Sequence, residues 1–202
     1  VMDLDHEFDC AALARNAANY DNDHKIALVG SARWTSDTSD PHKDIQTGKE
    51  AIRQSIGIRP NTLCLSAQAF DACSTNASIL DRLKYTGRDA VTAEILARLF
   101  SVQQVVVGEA VGATGQNDEF GDVWGADVIL AYVSPPTGGN RRNAARPSYG
   151  YTYAINGHPM VEKARWDAGK RSWVYGVSAD REPVLSGITA GYMRTLEGFG
   201  EV

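Results

Sequence analysis

Ser78–Val111 reads SILDRLKYTGRDAVTAEILARLFSVQQVVVGEAV: a short helix, a break, a second helix and a strand. The second helix is the best signed in the chain. Thr92 stands where an N-cap belongs, Val91 and Leu96 are spaced as a hydrophobic staple, and Ile95, Leu96, Leu99 and Phe100 share one face. The following QQVVVGEA is rich in β-branched residues and reads as a strand. Downstream, ADVILAYV is an almost unbroken apolar run, as suits a strand buried on both faces. Upstream, RPNTLCLS is a short strand with Leu63 and Leu65 on one side and Cys64 on the other, followed by a helix over about 67–74. Residues 58–134 are therefore expected to form one α/β unit. Its strands near Thr62, Val106 and Ile129 should share a sheet, with the Thr92–Phe100 helix packed on it.

Before this unit, EFDCAALARNAANY reads as the tail of a helix with no cap at its start, and the polar, turn-rich stretch 20–43 reads as a loop. Asp40 and Pro41 then open a helix whose Ile45, Ile52 and Ile56 keep one face, and Gly57 closes it. Between the unit's last two strands, Val111–Asp122 (VGATGQNDEFGD) has three glycines and three acids and is expected to be an exposed loop.

After the unit the composition shifts at SPPTGGNRRNAARPS and the apolar period becomes two. Tyr149, Tyr151 and Tyr153 alternate, Asn156-Gly157 carries a hairpin-turn signal, and Trp173, Tyr175 and Val177 alternate again. Residues 148–180 thus predict long antiparallel ribbons. Two or three strands lack a second layer, so they need the helix before residue 57 or a neighbouring molecule to cover them.

Composition narrows the function. The chain has 202 residues, 43% hydrophobic and 22% charged, enough for one large core or two small ones. A net charge of −5 and the lack of a basic stripe argue against a dedicated nucleic-acid binder. No apolar run approaches the roughly 20 residues of a membrane span, and VMDLDHEFDC is unlike a signal peptide, so no membrane partner is expected. Cys10, Cys64 and Cys73 are an odd set without metal-ligand spacing, which fits a reducing compartment. The opening Val1, with Met2 and an uncapped helix behind it, leads us to expect a piece cut from something longer.

Chemical sites are poorly supported. Cys64 or Cys73 with one of His6, His24, His42 and His158 lacks the third group that orients a catalytic base. GEAVGATG opens no helix and has no Lys-Ser/Thr, so it is no phosphate loop, and DNDHK lacks the glycine and distant glutamate of a calcium loop. Trp34, Trp124, Trp166 and Trp173 read as core or interface anchors. We expect no catalytic, cofactor or metal site and no enzymatic activity.

Taken in order, SDPHKDIQTGKEAIRQSIGIRPNTLCLS, LDRLKYTGRDAVTAEILARLFSVQQVVVGEAV, WGADVILAYVSPP, SYGYTYA and the late AGYM resemble the major capsid proteins of tailed bacteriophages and their prophages. The resemblance spans roughly residues 28–196. It implies an α+β chain of the Hong Kong 97 type: a compact α/β axial domain at 58–134, an elongated peripheral domain of helix and long strands at 1–57 and 135–182, and a C-terminal return to the axial domain at 183–202. Family members carry an N-terminal arm and an extended loop ahead of a long spine helix, and this chain would start near that helix's end. The implied role is self-assembly into an icosahedral head shell around double-stranded DNA, built in the bacterial cytoplasm. The implied partners are copies of the chain in pentamers and hexamers, with scaffold, protease and portal proteins, but no sequence-specific nucleic acid and no cofactors. An encapsulin-like shell, a small binding module and a small enzyme using Cys64 or Cys73 are the alternatives. Expected subunit contacts are Asp118, Glu119 and Asp122 at an axial loop tip, and Tyr149, Tyr151, Trp166, Trp173 and Tyr175 on the ribbons.

Overall fold

The structure is a computed structural model that describes residues 2–84, 90–113, 120–136, 146–155, 157 and 159–196. Among the described residues the α-helices are α1 (Met2–Arg15), α2 (Pro41–Ile56), α3 (Ala67–Thr75), α4 (Ala77–Leu83) and α5 (Ala93–Phe100). Five strands make the central sheet: β1 (Lys25–Ala27), β2 (Thr62–Ser66), β3 (Gln104–Gly108), β6 (Asp127–Ala131) and β13 (Gly191–Thr195). The eight others are β4 (Val111–Ala113), β5 (Phe120–Asp122), β7 (Gly150–Ala154), β8 (Met160–Val161), β9 (Arg165–Asp167), β10 (Ser172–Val174), β11 (Val177–Ser178) and β12 (Arg181–Leu185). The chain is α+β, with helices packed on a mixed sheet and a separate set of antiparallel ribbons.

Sheet order is β1-β13-β6-β2-β3. The β2–β3 and β1–β13 pairs are parallel, while β6 runs antiparallel to both β2 and β13. The strands at Thr62, Val106 and Ile129 share this sheet, as expected. Every residue of β6 is buried, because its two faces serve two cores. Val128 and Leu130 join Leu63, Leu65, Trp34, Ile45, Ile52, Leu96 and Phe100, whereas Ile129 and Ala131 join Tyr20, Tyr149 and Met193.

Local chemistry accounts for the helices on the first face. Asp40 accepts from the Lys43 N–H, Pro41 occupies the first turn, and Gly57 ends α2 in the left-handed region at φ 73°. Asn76 both ends α3 and caps α4, and Thr92 accepts from the Ile95 N–H to start α5. Residue 101, a serine rather than a glycine, ends α5 at φ 52°. The buried Lys49 of α2 donates to the Phe100 and Ser101 carbonyls at 2.7 and 3.1 Å, so a cation from another helix closes this C-terminus.

Three expectations need correction. The stretch 20–43 is not all loop, because Lys25–Ala27 pairs with Met193–Thr195 as an edge strand of the sheet. The sheet accordingly reaches beyond residues 58–134 at both ends of the chain, and α2 packs into its main core. The ends of Val111–Asp122 pair with one another, Val111 opposite Asp122 and Ala113 opposite Phe120. Asn156 of the expected Asn156-Gly157 turn lies outside the described residues, but the strands on either side of it do not pair with one another: β7, β8 and β9 run out and β10, β11 and β12 return as one long hairpin. Its reversal is at 168–171, where the Asp167 carboxylate accepts from the Gly169 and Lys170 N–H groups and Arg171 takes φ 48°.

Candidate assembly surface

The long hairpin forms an arm whose base is fastened by α1. At the base, Arg181 of β12 pairs with Asp3 at 2.6 Å, and Thr152 of β7 lies 3.3 Å from the His6 ring. Further along α1, Glu7 accepts from the Trp124 indole at 2.8 Å and Arg15 pairs with the buried Asp127 at 2.6 Å. Helix α1 therefore ties the arm's base to the end of the sheet.

Outward from the base, the arm shows an inverted pattern of exposure. Along the returning strand Trp173, Tyr175 and Val177 are exposed, while Val174, Gly176 and Ser178 between them are half-buried. Trp173 lies opposite Trp166, their rings edge to face with centroids 5.6 Å apart. Both indoles are more than half exposed and Tyr175 is 70% exposed, with Val161, Met160 and Ile155 exposed nearby. Single exposed apolar residues are ordinary, but a row of large ones on a two-stranded ribbon is an apolar patch of the kind a contact surface offers. Covering the two indoles and the phenol would remove on the order of 300 Å2 from water, about 7 kcal/mol before association costs.

The expected contact residues divide into four groups. Trp166, Trp173 and Tyr175 stand together on the arm. Tyr151 is half-buried near the base and donates to the Arg146 carbonyl at 2.6 Å. Tyr149 faces inward, 9% exposed, against Tyr20, to which it is joined by a hydroxyl–hydroxyl hydrogen bond in the second core. A residue held there serves its own chain's fold, so its expected contact role is corrected. Asp122 is exposed on β5 and accepts from Gln68, whereas Asp118 and Glu119 lie outside the described residues. Sequence reasoning missed Val161 and Met160, and also the basic residues Lys163, Arg165, Lys170 and Arg171 that flank the indoles. The readable signal was lysine and arginine interleaved with tryptophan on one hairpin.

Other clusters have been absorbed into structure. Burial pushes the Cys64 thiol up to about 12 and Cys73 upward too, so both stay protonated and poorly nucleophilic. Cys10 lies 3.6 Å from the His6 ring, yet burial and then Asp9 and Glu7 raise its pKa as well, the reverse of an activated pair. DNDHK does gather Asp21, Asp23 and His24. The buried His24 ring, however, spends its nitrogens on Asp23 and on Ser55 of α2, both at 3.0 Å. Among the described residues no helix is long and apolar enough to cross a membrane.

No family model matches the chain. Over 193 residues it is 38% identical to the major capsid protein of Burkholderia phage BcepMu, a match covering 96% of this chain and 62% of the relative. This chain is a relative of a phage major capsid protein. It also superposes on the crystal structure of a phage-related protein from Bordetella bronchiseptica RB50 with a TM-score of 0.90 and 50% identity, covering 99% of this chain and 65% of that one. The chain spans less than two thirds of the length of each. A major capsid protein is structural rather than catalytic, which agrees with the expectation that this chain is not an enzyme.

Proposed function

We propose that this chain is the shell-forming part of a phage or prophage head protein and that it works by associating with copies of itself. The observation that carries this reading is the aromatic row on the arm, in a chain related over 96% of its length to a major capsid protein. A shell subunit needs surfaces that repeat around symmetry axes, not a reaction centre. On this reading the fold is of the Hong Kong 97 type. The sheet with α3, α4 and α5 is the axial part, and the arm with α1 is the peripheral part. The exposed Asp122 of β5 lies toward the symmetry axis, where like charges meeting around a ring loosen that contact. The assembled full-length form encloses double-stranded DNA in pentamers and hexamers and meets scaffold, protease and portal proteins. A predominantly negative chain suits an inner wall that must not grip that DNA.

Light scattering and negative-stain electron microscopy over a concentration series test this. We expect reversible, concentration-dependent growth into rings, patches or shells. A particle of constant monomer mass from micromolar to millimolar concentration would overturn it.

A further inference from the structure

The arm's tip and helix α1 carry opposite charge. Residues 163–171 include Lys163, Arg165, Lys170 and Arg171 against the single acid Asp167, and all four cations are exposed. None has an ion-pair partner among the described residues. Helix α1 carries Asp3, Asp5, Glu7 and Asp9 within two turns. Two of these are engaged inside the molecule, Asp3 by Arg181 and Glu7 by Trp124. The other two, Asp5 and Asp9, stand one helical turn apart, exposed, and line a polar cleft of about 150 Å3 with His6, Ala179 and Arg181. Arg181, paired with Asp3, is the cleft's one arginine, so Asp3, Asp5 and Asp9 set three carboxylates against one guanidinium there.

The two patches do not meet within one molecule. The returning strand between Arg171 and Arg181 spans about 30 Å at the usual rise of an extended chain, and its far end is the one fastened to α1. We propose that the basic, tryptophan-bearing arm tip of one copy docks on the acidic face of α1, at Asp5 and Asp9, of a second copy. This rests on the shell-forming reading above and names the partner of the arm. The contact is head to tail, since the surface given differs from the surface received, and a repeated head-to-tail contact closes rings when its rotation permits. Charge also selects it: molecules of net charge −5 repel one another except where the tip approaches α1. The guanidinium and ammonium groups meet the carboxylates while the indoles cover the helix's flank.

Sedimentation velocity with charge-reversed variants tests the contact. Arg165→Glu/Lys170→Glu sets an acidic tip against the acidic helix, and Asp5→Lys/Asp9→Lys sets a basic helix against the basic tip. Each variant should keep the wild-type circular dichroism and melting curve and associate at least tenfold more weakly. An equimolar mixture of the two should recover association, because every tip then has an oppositely charged helix available. Wild-type association by either variant alone would overturn the proposal while leaving the shell reading intact. So would a mixture that stays as weak as its components. Absence of association by the unmodified chain at any concentration would remove the shell reading and this contact with it.

Discussion

Arg194 on β13 lies 2.9 Å from the Asp44 carboxylate on α2, and its guanidinium also donates to the Asp44 carbonyl at 3.1 Å. The carboxylate's other oxygen accepts from the Trp34 indole at 2.8 Å. One acid thus joins the sheet, the helix and the loop that carries the fully buried Trp34. Replacing Asp44 with alanine would leave Arg194, 4% exposed in its side chain, charged and unpaired in the core. The expected loss is about 3 kcal/mol, read as a lower urea midpoint at unchanged slope. An unshifted midpoint would show that water reaches Arg194.

Alkaline pH should probe the second core. Burial pushes the Tyr149 phenol from its ordinary 10 up to about 12, raises Tyr20 as well, and lifts the Cys64 thiol from 9 to about 12. These are acids that the folded chain holds protonated after the unfolded chain has released them. Their contribution to stability is complete below about pH 9 and is lost as the pH climbs toward about 12. Urea midpoints taken at pH 7, 9, 10.5 and 11.5 should be level at first and then fall. Tyr149→Phe, combined with Cys64→Ser, should flatten the fall.

The cysteines should differ in reactivity. Cys10 is half-buried on α1 and Cys64 half-buried on β2, while Cys73 is wholly buried. A thiol reagent should label Cys10 first and reach Cys73 only on unfolding. Cys64→Ser and Cys73→Ser should each cost about 1–2 kcal/mol, because a hydroxyl is left in an apolar site, and neither should change association. Loss of association in either variant, with the melt preserved, would give that cysteine a role beyond packing.

Elements that carry their own chemistry were legible in the sequence. Asp40-Pro41 and Gly57 bracket α2, Thr92 starts α5, and the unbroken run in β6 announces burial on both faces. What escaped was set by distant partners. β1 is only Lys-Ile-Ala, too short to alternate, and is a strand because β13 lies beside it. The Asn-Gly dipeptide is a strong local turn signal. Register in this arm is instead fixed by pairs such as Trp166 with Trp173, which put the reversal at 168–171. Of the candidate contacts, the exposed indoles followed from their period, but Tyr149 keeps the same period as Tyr151 and Tyr153 and is nevertheless buried. Its burial depends on Tyr20, remote in sequence.

Tyr149 and Trp173, two aromatics of one hairpin, should therefore respond oppositely to substitution. Trp173 is 58% exposed and touches Trp166 across the ribbon, so Trp173→Glu removes little from the fold. Its stability should stay within about 0.5 kcal/mol of the parent, as at an ordinary surface site. On the proposed contact its association should weaken, because a carboxylate replaces an indole of the aromatic row. Tyr149 fills a space closed by Tyr20 and by Gly191, where an added Cβ would strike the Tyr149 ring. Tyr149→Ala should cost about 3–5 kcal/mol through the cavity it leaves, and lose association only as the fold is lost. Thermal melts and light scattering on the same samples separate the two. If Trp173→Glu melts early, the arm is part of the core, and if it both folds and associates like the parent, the aromatic row is not the contact.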